Sequence, residues 1–174
     1  DLGFNLLDLN CGCPVDKVTK DGSGSALLKN PDKMGEILYE MQKRVDIPIT
    51  VKIRAGWDAE SINAREVTKI AEQAGASAMF IQGGARKQAY EGPANWDLIK
   101  DACDQERSIL VFANGDINSR ETAEKALIQT GADGVLVSRV TMGAPHIAKD
   151  IFFDKKTAPH PLDLIKSHVE EICL

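Results

Sequence analysis

The stretch from Ile49 to Gln82, ITVKIRAGWDAESINAREVTKIAEQAGASAMFIQ, decides the fold. It opens on a run rich in β-branched residues, passes through an amphipathic segment of helical period that Gly75 closes, and returns at Ala78 to a second apolar run. A buried strand, a helix and another buried strand in that order form a unit of parallel sheet, joined by a right-handed crossover. Working outward, the same alternation recurs. Strands are predicted at Phe4–Leu9, Ile49–Arg54, Ala78–Gln82, Ile109–Ala113 and Gly134–Ser138. Helices are predicted at Asp32–Val45, Ala59–Ala74, Asn95–Asp104 and Arg120–Thr130. Asn30-Pro31 opens the first of these, with proline in the first turn, where its missing N–H costs nothing. Gly75 and Gly131 stand where a left-handed helix end is wanted.

A doubly wound sheet and a TIM barrel both satisfy five β/α repeats. The G-x-G-x-x-G turn of a dinucleotide fold does not follow the first strand. Polar groups instead stand at the C-terminal tip of every strand: Asn10 and Cys13, Lys52 and Arg54, Gln82, Asn114 and Asp116, Ser138 and Arg139. A ring of functional groups at strand ends marks a TIM barrel. A whole barrel takes eight strands and about 250 residues. The expected fold class is therefore α/β, an incomplete (β/α)8 barrel holding the last five units and lacking the first three strands. Residues 1–160 are read as the barrel piece and 161–174 as the start of a C-terminal helical segment. The opening DLGFNLLDLNCGCP, with no initiator methionine, is read as cut from a longer chain.

Composition narrows the classes. The 174 residues are 43% hydrophobic, enough for one domain with a core. No run approaches the roughly 18 apolar residues of a membrane helix, so the expected location is cytoplasmic. Net charge is −5, from 21 basic against 26 acidic residues, which argues against a general nucleic-acid binder. An RNA ligand would need a local basic surface. The pair Cys11 and Cys13, without a second close Cys or His pair, makes a poor zinc site.

Three places could carry chemistry. Asn10-Cys11-Gly12-Cys13-Pro14 follows a strand directly; a thiol there serves as nucleophile or general acid, or both cysteines are small buried apolar groups. On Val51-Lys52-Ile53-Arg54, alternation puts both cations on one face. Buried near a barrel mouth, they call for an anion or an electron-rich cofactor. Asn114-Gly115-Asp116 and Ser138-Arg139 end the last two strands, where TIM barrels commonly bind phosphate.

Together, DLNCGCPVDKVTKDGSGSALLKNP, ITVKIRAGWD, YEGPANWDLIK, VFANGDI and TGADGVLVSR resemble the tRNA-dihydrouridine synthase family, in order, from Asp1 to about Ile151. The resemblance implies a barrel holding FMN, reduced by NADPH or NADH, with hydride passing to uracil C6 in tRNA. It implies that Cys13, the cysteine before Pro14, protonates C5. Asn10 and Arg54 would then face the substrate. Lys52 and Gln82 would contact the flavin, and Asn114, Gly115, Asp116, Ser138 and Arg139 its ribityl and phosphate. The implied partner is tRNA, with no membrane.

Departures accompany the match. Where the family usually reads His-Gly-Arg-Thr-Arg, this chain reads Gln82-Gly83-Gly84-Ala85-Arg86, and Ser138 replaces the usual Gly before Arg139. Two other readings follow: a flavin-dependent dehydrogenase of a free pyrimidine, and a non-catalytic relative that binds RNA or phosphate.

Overall fold

In the computed structural model, residues 3–88, 92–142 and 144–153 are described. Five strands form one parallel sheet in the order β1-β2-β3-β4-β5, each joined to its sequence neighbour. They are β1 (Leu7–Cys11), β2 (Ile49–Gly56), β3 (Ala78–Ala85), β4 (Leu110–Asn114) and β5 (Gly134–Leu136). The helices in chain order are α1 (Asp16–Thr19), α2 (Pro31–Gln42), α3 (Ala64–Gln73), α4 (Asp97–Cys103), α5 (Arg120–Thr130) and α6 (Ile147–Phe153). Short 3-10 turns occupy Gly24–Lys29 and Arg139–Met142. This is an α/β architecture, five consecutive units of an incomplete (β/α)8 barrel. The reading of 161–174 as a helical segment lies outside the described residues. Among the described residues, no helix is long and apolar enough to cross a membrane.

The helix boundaries follow from local chemistry. Asn30 caps α2 with its side chain, accepting the Lys33 N–H at 3.2 Å. Ser119 and Thr122 form a reciprocal capping box at the start of α5, and Gly131, with φ 66°, ends it. The expected helix Ala59–Ala74 begins only at Ala64, because residues just before it return to the sheet: Ile62 bridges Gly56 antiparallel, and the Asn63 N–H donates to Ala55 O. The first strand lies later than expected and includes both Asn10 and Cys11. The third runs on to Ala85, and the fifth stops at Leu136 rather than Ser138.

One face of the sheet is dry. Cys11, Val51, Ile53, Met79, Ile81, Val111 and Ala113 are fully buried against Met34 and Leu38 of α2, Val67 and Ala71 of α3, and Ile99 and Ala102 of α4. Because side chains alternate, the intervening residues turn to the other face. The register sets these in layers. Asn10 lies beside Lys52, Lys52 beside Phe80 and Phe80 beside Phe112 in one row; Arg54, Gln82 and Asn114 follow in the next. The Phe80 and Phe112 rings stand 5.1 Å apart. Polar groups therefore gather at or just past the C-terminal end of every strand.

Candidate active site

A cavity of about 440 Å³ opens over the C-terminal ends of the strands, within the ~300–1,000 Å³ typical of cofactor sites. All ten residues singled out from the sequence line it: Asn10, Cys13, Lys52, Arg54, Gln82, Asn114, Gly115, Asp116, Ser138 and Arg139. They come from five strand ends that are far apart in the chain. The parallel register brings them together.

The two neighbouring cysteines part company. Cys11 ends β1 facing the helices, fully buried, and burial together with the nearby Asp8 carboxylate pushes its thiol up to about 12. It remains a protonated core group. Cys13, two residues on and past the strand end, is partly exposed and lines the cavity.

The turn that bears Cys13 is pinned on all sides. The Gly12 and Cys13 N–H groups both donate to Asn10 Oδ1 at 3.1 Å. The Cys13 carbonyl accepts from the Ser25 N–H at 3.0 Å and the Ser25 hydroxyl at 2.9 Å. Arg54 Nε donates to Gly12 O at 3.0 Å, while its Nη1 reaches Ala85 O at 3.3 Å. Arg86 Nε donates to Pro14 O at 3.1 Å. Gly24 backs the turn at φ 58°, and a Cβ there would lie 2.9 Å from Cys13 O and 3.2 Å from Cys13 Cβ. Only glycine fits that approach. Gly24, Ser25 and Arg86 received no role from the sequence. For Gly24 and Ser25 the signal was the cluster Gly22-Ser23-Gly24-Ser25, which marks a loop; no local pattern pointed to Arg86.

Lys52 sits beside Asn10 in the register, half-buried, and among the described residues no carboxylate lies within ion-pair distance of its ammonium. Burial, then the Arg54 charge, hold that ammonium below its ordinary value, against the weaker pull of Asp8. Gln82 brings a further unmet demand: its Oε1 is buried without a hydrogen-bond partner. A buried acceptor in a cavity wall calls for a donor on whatever fills the cavity.

At the far end, Asn114 donates from Nδ2 to Leu136 O at 2.7 Å and to the Ser138 hydroxyl at 2.8 Å. Gly115 follows at φ 117° and Asp116 at φ 56°. A Cβ on Gly115 would lie 2.7 Å from Ala94 Cβ, so the turn nests against the segment before α4. Asp116 accepts the Ala94 N–H at 2.6 Å and pairs with Arg139 at 3.3 Å; Trp96 Nε1 donates to Gly115 O at 3.0 Å. Ser138, one of the sequence departures, thus finishes a hydrogen-bonded hinge between the last two strand ends.

Comparison with known proteins meets this geometry. The family profile described as Dihydrouridine synthase (Dus) matches residues 1–173. The chain belongs to the dihydrouridine synthase family. It is 44% identical over 177 residues to the tRNA-dihydrouridine synthase B of Pseudomonas syringae pv. tomato, covering 100% of this chain and 51% of that protein. With the tRNA-dihydrouridine synthase B of Pseudomonas aeruginosa it shares 41% over 182 residues, 100% of this chain and 54% of the relative. The corresponding protein of Pasteurella multocida is 38% identical over 180 residues, 99% of this chain and 54% of its own length. The chain spans about half the length of the curated relatives it matches. The fold alone also resembles a solved structure, "Crystal structure of Amycolatopsis orientalis BexX/CysO complex", at TM-score 0.55 and 18% identity, over 92% of this chain and 61% of that one. In this chain Cys13 and Lys52 line the same cavity.

Proposed function

We propose that this chain forms the ligand-facing part of a tRNA-dihydrouridine synthase, which reduces the C5–C6 double bond of a uridine in tRNA with FMN bound and NADPH or NADH as reductant. The observation that carries this is the division of labour between the cysteines: Cys13 and Lys52 line one cavity, while Cys11 turns into the core. The residues fit a flavin. The Lys52 ammonium, with no carboxylate at ion-pair distance among the described residues, suits a pyrimidine ring that gains negative charge on reduction, and the Gln82 Oε1, buried without a partner there, suits a ring N–H. Asn114, Gly115, Ser138 and Arg139 would hold the ribityl and phosphate, with Asp116 keeping Arg139 in place.

When bound, FMN supplies the hydride that goes to uracil C6. Cys13 then gives its thiol proton to C5 and completes the addition of two hydrogens across the double bond. Asn10, its Oδ1 committed to the Cys13 turn, offers its amide N–H groups to the uracil. The base must leave the tRNA stack to enter a cavity of this size. Such an enzyme works in the cytoplasm, where its tRNA is.

The test uses the full-length protein. It should purify yellow, and NADPH should bleach its flavin absorbance. Dihydrouridine should then appear in tRNA, be lost in Cys13→Ala, and persist in Cys11→Ala. Loss in Cys11→Ala alone would overturn the assignment of the acid. Turnover of free uracil without any need for tRNA would favour the free-pyrimidine reading. A colourless protein that binds RNA would point to the non-catalytic one.

A further inference from the structure

Most ties to the Cys13 turn come from residues that also face the cavity or lie within the turn's own support. Arg86 differs. It stands just past the end of β3 and is not among the residues lining the cavity, yet its side chain crosses to the turn. Nε donates to Pro14 O at 3.1 Å, and Nη2 pairs with Asp16, the first residue of α1. The guanidinium carbon lies 4.7 Å from the centroid of the Trp57 ring, against which Lys29 Nζ also rests at 4.3 Å. The Arg86 backbone is anchored as well, its N–H donating to Gly56 O at 2.9 Å. One planar group is thus oriented by an indole and grips the residue after Cys13 together with the helix beyond it.

We infer that Arg86 is the positioning residue of Cys13: by holding Pro14 O and Asp16 with one guanidinium, it fixes where the thiol stands over the cavity. The inference rests on the reading of Cys13 as the proton donor. The ion pair is not the source of the effect. Asp16 is almost fully exposed, and such pairs contribute little on their own. What matters is the charge-assisted bond to a backbone carbonyl, directed by a fork whose second arm is also engaged. Lysine has one charged nitrogen on a flexible stem and would reproduce this geometry only in part. A proton donor displaced by about 1 Å can cost on the order of a hundredfold in rate, so a tether outside the cavity controls chemistry without touching ligand.

The experiment takes the full-length protein with Arg86→Met, which keeps an apolar stem on Trp57, and with Arg86→Lys. Iodoacetamide alkylation at Cys13 is followed by peptide mass spectrometry, beside kcat, KM for tRNA, flavin content and thermal melting. In Arg86→Met, alkylation of Cys13 should change by roughly threefold or more. Its kcat should fall by roughly ten- to a hundredfold, the range expected for misplaced groups. KM for tRNA, flavin content and melting should stay close to the parent protein, and Arg86→Lys should recover part of kcat. Unchanged alkylation overturns the inference, whatever happens to kcat. So does a rise in KM with kcat intact, which would make Arg86 an RNA contact. If Arg86→Met does not fold, Arg86→Lys decides: it should shift alkylation in the same direction by a smaller amount, and no shift overturns the tether. Retained turnover in Cys13→Ala would remove Cys13 as the acid, and alkylation, which needs no turnover, would still judge the tether by itself.

Discussion

At Gly24, one missing carbon atom lets two loops touch. Its φ of 58° and the 2.9 Å that would separate a Cβ from Cys13 O both oppose any side chain. Gly24→Ala should cost about 1–2 kcal/mol for the left-handed backbone alone. It should also move the Cys13 turn, so under the proposed function dihydrouridine formation by the full-length protein should drop more than denaturant stability would suggest; measuring the two together checks this. Cys11 makes a prediction in pH. Its thiol is raised from 9.0 to about 12 in the folded chain, so the unfolded chain releases a proton over that interval and the folded chain keeps it. The folded state then binds more protons, and stability falls as pH climbs from 9.0 towards about 12. Lys52, held low, contributes the opposite sign, but it is common to parent and variant. Urea titrations across this range should therefore show a shallower decline in Cys11→Ala.

The elements carry a second set of carboxylates, away from the cavity, at the start of β4. Glu72, at the end of α3, accepts from the Ser108 hydroxyl at 2.6 Å and the Ile109 N–H at 3.1 Å. Asp133, before β5, accepts the Val111 N–H at 2.7 Å and pairs with Arg107 at 2.6 Å. Burial pushes the Asp133 carboxyl up, but the Val111 N–H and Arg107 outweigh it and hold the group below its ordinary value. The bonds from Ser108 hold Glu72 low in the same way. Both groups therefore add stability above the usual carboxylate range, and lose it as pH falls through their lowered folded values. Asp133→Ala should cost about 1–3 kcal/mol at neutral pH, because it leaves the Val111 N–H without its acceptor and Arg107 without its ion pair. Its acid-unfolding curve should be flatter than the parent's.

Element type and order were legible because period and punctuation agree: β-branched runs for strands, Asn30-Pro31 and Gly131 for helix ends. Boundaries were less so. Residues 59–63 have helical composition, but Asn63 N–H and Ile62 find partners on β2 instead, and no local pattern announces a tertiary bond. The same holds in the cavity. Lys52 and Arg54 could be assigned to one face by alternation. That Arg54 spends donors on Gly12 O and Ala85 O depends on where two other strands stop.

At the scale of the whole molecule, β1 and β5 are the outer strands of the sheet among the described residues, and each offers a row of backbone groups on one side. Leu7 and Leu110, on those strands and their neighbour, are exposed, as are Phe4 and Leu6 just before β1. Open edges beside apolar surface favour strand addition between copies. The 174-residue chain made by itself should self-associate in a concentration-dependent way in light scattering. The full-length protein should do so far less, and a monomeric, well-dispersed fragment would contradict the expectation.

The grip of Glu72 and Asp133 on amides just before and within β4 has a consequence for how such proteins diversify. A strand that slides by a single residue exchanges its two sides, which here would send Asn114 among the helices and bring Ala113 into the ligand cavity. Glu72 holds the Ser108 and Ile109 amides just before that strand and Asp133 the Val111 amide within it, and each so acts as a stop against sliding. With alignment secured at the closed end, the loops at the open end are free to be rewritten without scrambling which groups look inward.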